Sequence, residues 1–133
     1  MEITLGRARS AHDVGEAWTT ADAAELYEIA RWGRDYFSIG DNGQVRVHPS
    51  KDPKRSIDLK QLVDDLQRRG INLPALIRFS DILQHRLKDI HDAFQTAIAQ
   101  NEYKGQYVCV YPIKVNQQRH VVEEVFKFGR PYN

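Results

Sequence analysis

A chain of 133 residues with 19 basic and 18 acidic side chains carries a net charge of +1, which gives it no electrostatic footprint for nucleic acid or a membrane surface. A hydrophobic fraction of 41% and a charged fraction of 28% describe one ordinary globular domain or part of one. The single cysteine, Cys109, excludes an intrachain disulfide, and no apolar run suits a secretory leader or a bilayer span, so the expected location is the cytoplasm.

Residues 1–17 are polar and unpatterned and read as a flexible arm. Thr19-Thr20-Ala21-Asp22 then opens a short helix with a hydroxyl cap and an acid in its first turn. Its apolar positions are Ala24, Leu26, Tyr27 and Ala30, and Trp32-Gly33 ends it. Two β-prone runs follow, Tyr36-Phe37-Ser38-Ile39 and Gln44-Val45-Arg46-Val47. Gly40-Asp41-Asn42-Gly43 between them supplies the positive-φ residues of a tight turn, which predicts a hairpin. Residues 48–55 hold two prolines and no apolar side chain other than those rings. They are a linker whose basic excess belongs to a solvated loop, with an anion site as the alternative.

Asp58-Leu59-Lys60-Gln61 has the form of a capping box and opens a helix over 58–69. Leu59, Leu62, Val63 and Leu66 make one face, and Gly70 suits the position after the cap. The Asp64-Asp65 pair belongs to the solvated face of that helix. Residues 73–79 predict a short strand with Pro74 near its start. Ser80 is then the expected cap of a long helix in which Leu83, Leu87, Ile90, Phe94 and Ala97 form a core stripe. His85 and His91 are six apart, which is the wrong spacing for a helical zinc pair, so no metal site is expected there. Residues 101–105 turn the chain into its most apolar, β-branched run.

That run, 107–116, predicts a strand. Alternation puts Val108, Val110, Pro112, Lys114 and Asn116 on one face and Tyr107, Cys109, Tyr111, Ile113 and Val115 on the other. A helix carrying Val121, Val122, Val125 and Phe126 follows. The strand–helix–strand–helix order predicts parallel strands buried by crossover helices. Pro112 cannot donate to a ladder, so a bulge beside Lys114 is expected. Cys109 and Tyr111 are expected to pack. Lys114 has two readings on pattern alone: a strand-end lysine whose ammonium snorkels into water, or a reactive amine at a strand's carboxyl end.

The segment YPIKVNQQRHVVEE resembles the cofactor-lysine segment of the biosynthetic arginine decarboxylases. ELYEIARWGRDYFSI, IDLKQLVDDLQRRGINLPALIRFSDIL and YKGQYVCVYPIKVNQ follow that family's order, and the likeness runs from about Trp18 to Asn133. The resemblance implies an α/β fold in which an N-terminal helix and β-hairpin (18–55) precede the opening βα units (56–133) of an alanine racemase-like (β/α)₈ TIM barrel. A whole barrel takes about 250 residues, so the family implies a longer protein of which this is an N-terminal part.

By the same resemblance, Lys114 carries pyridoxal 5'-phosphate as an internal aldimine, the substrate is L-arginine, and the products are agmatine, which feeds polyamine and spermidine synthesis, and CO2. Asn116 and His120 would stand at the mouth of the site, although Asn116 also suits the cap of the next helix and His120 its exposed first turn. The family leaves a magnesium requirement open and implies a homo-oligomer for the full-length protein. Phosphate loops, the acid facing the pyridine nitrogen and the substrate-selecting groups would lie beyond this chain, so it is expected to be inactive alone. Two alternatives stand beside this one. One is another barrel enzyme of the same cofactor, an amino-acid racemase or a different basic amino-acid decarboxylase. The other is a non-catalytic remnant or interaction module.

Overall fold

In the computed structural model, which describes residues 17–132, the first helix begins where the hydroxyl cap places it. Almost all of the arm expected at 1–17 lies outside the described residues. Asp22 N donates to Thr19 Oγ1 at 3.2 Å and Thr19 N donates to Asp22 Oδ2 at 2.9 Å, closing a capping box on α1 (Thr20–Leu26). The single helix expected here is two. Glu28 takes a left-handed backbone (φ 48°), and α2 (Ile29–Gly33) starts after it. The Trp32 indole N–H takes up the Tyr27 carbonyl at 2.9 Å across the break. This corner turns Ile29 and Gly33 inward, where both are buried.

The hairpin forms as read. β1 (Phe37–Ile39) and β2 (Val45–Val47) pair antiparallel in the register Phe37 to Val47 and Ile39 to Val45. Gly43 supplies the positive φ (76°) that the loop requires. A third strand that no sequence pattern signals joins the hairpin. β3 (Ile57–Asp58) pairs antiparallel with β2, making a three-stranded sheet in the order β1-β2-β3. Two residues are too short for period-2 alternation to show, so β3 left no pattern in the sequence. Val47, fully shielded, and Ile29 and Tyr36, each 6% exposed, are the buried hydrophobic side chains among the described residues.

Asp58 ends β3 and caps α3 (Leu59–Arg68), its Oδ1 accepting from Gln61 N at 3.1 Å. Asn42 of the hairpin loop donates to the other oxygen at 3.2 Å, so the cap also ties the loop to the helix. The helix closes in a full Schellman motif. Gly70, at φ 81°, donates to the Gln67 carbonyl at 2.9 Å, and Ile71 donates to Leu66 at 3.0 Å.

The strand expected over 73–79 is absent, and that stretch has no regular structure. It leads into α4 (Ser80–Gln100), whose cap is Phe79 with no side-chain bond, so Ser80 is the first helical residue and not the cap. The run at 107–112 is extended but joins no ladder, and α5 (Arg119–Gly129) follows it. The described residues therefore hold a mixed helix–strand fold whose sheet is small and antiparallel, without the parallel pair that the strand–helix–strand order predicts. Parallel strands need cover on both faces. Here α4 and α5 pack on each other and cover the 107–112 run from one side, while Pro74 and Pro112 each withhold a ladder donor. Among the described residues no helix is long and apolar enough to cross a membrane.

Tyr36 joins the sheet to the helical half. Tyr36 Oη lies 2.7 Å from His85 Nδ1 of α4, with the rings edge to face at 5.6 Å. Burial, then the negative charge of Asp89, push the Tyr36 phenol above its ordinary value.

Candidate functional site

Residues 107–112 keep the alternation of a strand without its hydrogen bonds. Tyr107, Cys109 and Tyr111 are half-buried on the side of α4 and α5. Tyr107 stacks on Phe94 with ring centroids 4.0 Å apart and planes 7° from parallel. Cys109 and Tyr111 line a cavity of about 410 Å³ with Leu87, Val122, Val125 and Phe126. The opposite side is bare: Val108 is 60% exposed and Val110 80%.

Pro112 stops the extended run, and the expected ladder bulge does not form because there is no ladder. Its carbonyl accepts from Val115 N at 3.1 Å, and Asn116 N donates to Ile113 at 3.1 Å, winding Ile113–Val115 into one turn of 3₁₀ helix. Proline suits the head of such a turn because its φ is already set and no donor is needed there. Lys114 is the middle residue of this turn. It is exposed, makes no hydrogen bond or ion pair with the described residues, and borders none of the four described cavities.

The turn is closed from both ends. The Tyr111 hydroxyl donates to the Asn116 carbonyl at 3.2 Å, and Asn116 Oδ1 accepts from Gln118 N at 3.1 Å. Asn116 thus holds the approach to α5, while the helix's own cap is Gln118, which makes no side-chain cap bond. His120 is the second residue of α5 and exposed. It lines a separate cavity, with Arg78 and Arg86, and is not gathered with Lys114. The Tyr111 clamp was not singled out in the sequence, where Tyr111 read as packing alone. Nor was Arg78, whose guanidinium bonds Gln118 Oε1 across forty positions, a pairing that no local pattern signals.

No protein-family model matches the chain. Individual proteins do. It is 55% identical over 115 residues to a biosynthetic arginine decarboxylase of Gloeobacter violaceus, a match spanning 86% of this chain and 18% of that protein. The biosynthetic arginine decarboxylase of Geobacter metallireducens is 52% identical over 118 residues, 89% of this chain and 19% of the relative. That of Rhodopirellula baltica is 51% identical over 112 residues, 84% and 17%.

The chain is homologous to the biosynthetic arginine decarboxylases. It spans less than one fifth of the length of these curated relatives. A continuous match of 118 residues within 133 necessarily contains positions 16–118, so the lysine turn lies inside the shared region.

The described residues fit one requirement of a pyridoxal phosphate site and leave the others open. Lys114 offers an accessible primary amine for the cofactor's aldehyde. No described carboxylate forms a hydrogen bond or ion pair with Lys114, and the lysine borders none of the described cavities. Among the described residues no group of three or more His, Cys, Asp or Glu side chains is placed to hold a metal ion.

Proposed function

We propose that this chain is the cofactor-lysine portion of a pyridoxal-phosphate-dependent arginine decarboxylase, converting L-arginine to agmatine and CO2 in the cytoplasm. In this reading residues 56–133 open an alanine racemase-like barrel, and Lys114 holds the cofactor. The observation that supports it is the homology to biosynthetic arginine decarboxylases across a stretch that includes Lys114.

When bound, pyridoxal phosphate supplies a ring system that accepts the electron pair left as the substrate carboxylate departs. The chain's own residues have a positioning part. Lys114 presents its amine from a turn that the Tyr111 hydroxyl and the Asn116 side chain close, so the amine's base does not wander with the loop. The 133-residue chain by itself turns over no arginine in this reading, because its described residues supply the amine without a phosphate cradle or a substrate pocket around it.

A graft tests this. The homologous stretch of the Gloeobacter violaceus enzyme is replaced by this chain, and agmatine release and cofactor retention after borohydride reduction are measured. The graft should decarboxylate arginine and retain one cofactor on Lys114, and Lys114→Ala should lose both. Retained cofactor and agmatine formation in the Lys114→Ala graft overturn the assignment. D-arginine as the product would favour racemase chemistry.

A further inference from the structure

A second cavity, of about 380 Å³, opens where the amino ends of α4 and α5 come together. Its lining divides by chemistry. Phe79, Ile82, Leu83 and Val121 are apolar, and Arg78, Arg86, Ser80 and His120 are polar donors. The volume lies at the small end of the range for ligand pockets, about 300–1,000 Å³, and an apolar lining with a few convergent polar groups is the usual composition of such sites.

The charge in this cavity is not matched from within. Arg78 bonds the neutral side chain of Gln118, so its charge has no described carboxylate as partner. Arg86 lies 3.2 Å from Asp89, a carboxylate it shares with His85 at 3.4 Å. Glu124 is the one acid in the lining, and it faces Lys127 at 3.7 Å. Neither α4 nor α5 has a side-chain cap, so first-turn backbone donors of both helices add to the same sign. Two guanidiniums, an imidazole and a hydroxyl beside an apolar wall suit a compact anion on an apolar body.

We propose that this pocket binds a small organic phosphate, a phosphate monoester carried on a body about the size of one ring. A phosphate monoester carries about −1.5 to −2 charges at neutral pH and three acceptor oxygens, which two arginines can share. A carboxylate offers one charge and a single fork, which one arginine satisfies. The site is independent of Lys114, which does not border it.

The test is a titration of the full chain with phenyl phosphate, followed through backbone amide shifts, with benzoate, phenol and inorganic phosphate as comparisons. Saturable shifts are expected at Ser80, His120 and Val121, with about tenfold or greater weakening for phenol and for inorganic phosphate. Arg78→Ala and Arg86→Ala should each weaken phenyl phosphate about tenfold, the scale of one charge-assisted bond, and added salt should weaken it further. Glu124→Gln should tighten binding severalfold, a change that damaged folding cannot produce. Lys114→Ala should leave binding unaltered, so this result stands apart from that of the decarboxylase graft. Benzoate binding as tightly as phenyl phosphate overturns the phosphate assignment. Equal binding by phenol, absence of saturation, or shifts confined to the basic segment 48–55 overturn the site itself.

Discussion

Two glycine-to-alanine substitutions in this chain should have opposite signs, and the backbone decides which. At Gly70 an added Cβ meets no atom within 4 Å, so packing contributes nothing to the outcome. The residue sits at φ 81° as the closing position of the Schellman motif on α3. Holding an L-residue in the left-handed region costs about 1–2 kcal/mol. Removing a glycine from the unfolded chain returns about 0.4–1 kcal/mol. The net effect of Gly70→Ala is a loss of about 1 kcal/mol. Gly129, the last residue of α5, also has nothing within 4 Å of its added Cβ, but its φ is not positive. There alanine gains helix propensity and loses unfolded-state entropy, a stabilisation of up to about 1 kcal/mol. Urea unfolding followed by far-ultraviolet circular dichroism reads both. With a slope of about 2 kcal/mol per molar urea, the midpoint should fall by about 0.5 M for Gly70→Ala and rise by up to about 0.5 M for Gly129→Ala. Amide exchange at Ile71, whose N–H closes the motif on Leu66, should quicken in the first variant and hold in the second. If both midpoints move the same way, the assignment of these effects to backbone conformation is wrong.

Tyr36→Phe removes the 2.7 Å contact to His85 while keeping the ring that sits edge-on to the imidazole, so it should cost about 1 kcal/mol in the same assay. A second substitution, His85→Ala, should then add less than it does in the unaltered chain, and full additivity would show that the two groups do not interact. The Asp58 carboxyl is held below its ordinary value, first by the Gln61 backbone N–H and then by the Asn42 side chain. A depressed value makes its stabilisation present at neutral pH and lost as the pH falls below the ordinary 3.8 towards the depressed value. Asp58→Asn still caps but does not titrate, so its urea midpoint should fall less steeply on acidification. An acid limb of unchanged slope would refute the linkage.

How much of this was legible divides by range. Among interactions within four residues, the hydroxyl cap and first-turn acid of α1, the Gly43 turn, Asp58 as a cap and Gly70 after α3 are legible. Each depends on local backbone chemistry that a few side chains determine. The box expected at Asp58 forms only its Gln61 N–H half, and Ser80 is not the cap of α4. The break at Glu28 was missed because its φ of 48° belongs to a residue type that gives no turn signal. β3 was missed because its partner lies ten residues back across a proline-bearing linker, and two residues carry no periodicity. At the site, Lys114 stood out through its neighbours in sequence. The clamp from Tyr111 and the bond from Arg78 to Gln118 depend on where chain segments meet in space. His120 stands in the exposed first turn of α5, one of the two places the sequence allows it, and there it lines the second cavity.

The 107–112 run shows why a strand pattern and a strand can come apart. Alternation requires only a two-sided environment, and one helical wall provides it: Tyr107, Cys109 and Tyr111 turn to α4 and α5, and Val108 and Val110 turn away. A ladder requires a neighbouring backbone at about 4.8 Å with donors to exchange. The candidate neighbour, 73–79, is irregular and begins with Leu73-Pro74. The uncovered side is that of Val108, Val110 and Pro112. Burying Val108 and Val110 there would contribute about 1.5–3 kcal/mol each, a drive towards whatever apolar surface meets that side. Lys114 stands apart from that drive, because the 3₁₀ turn at Ile113–Val115 ends the alternation before it.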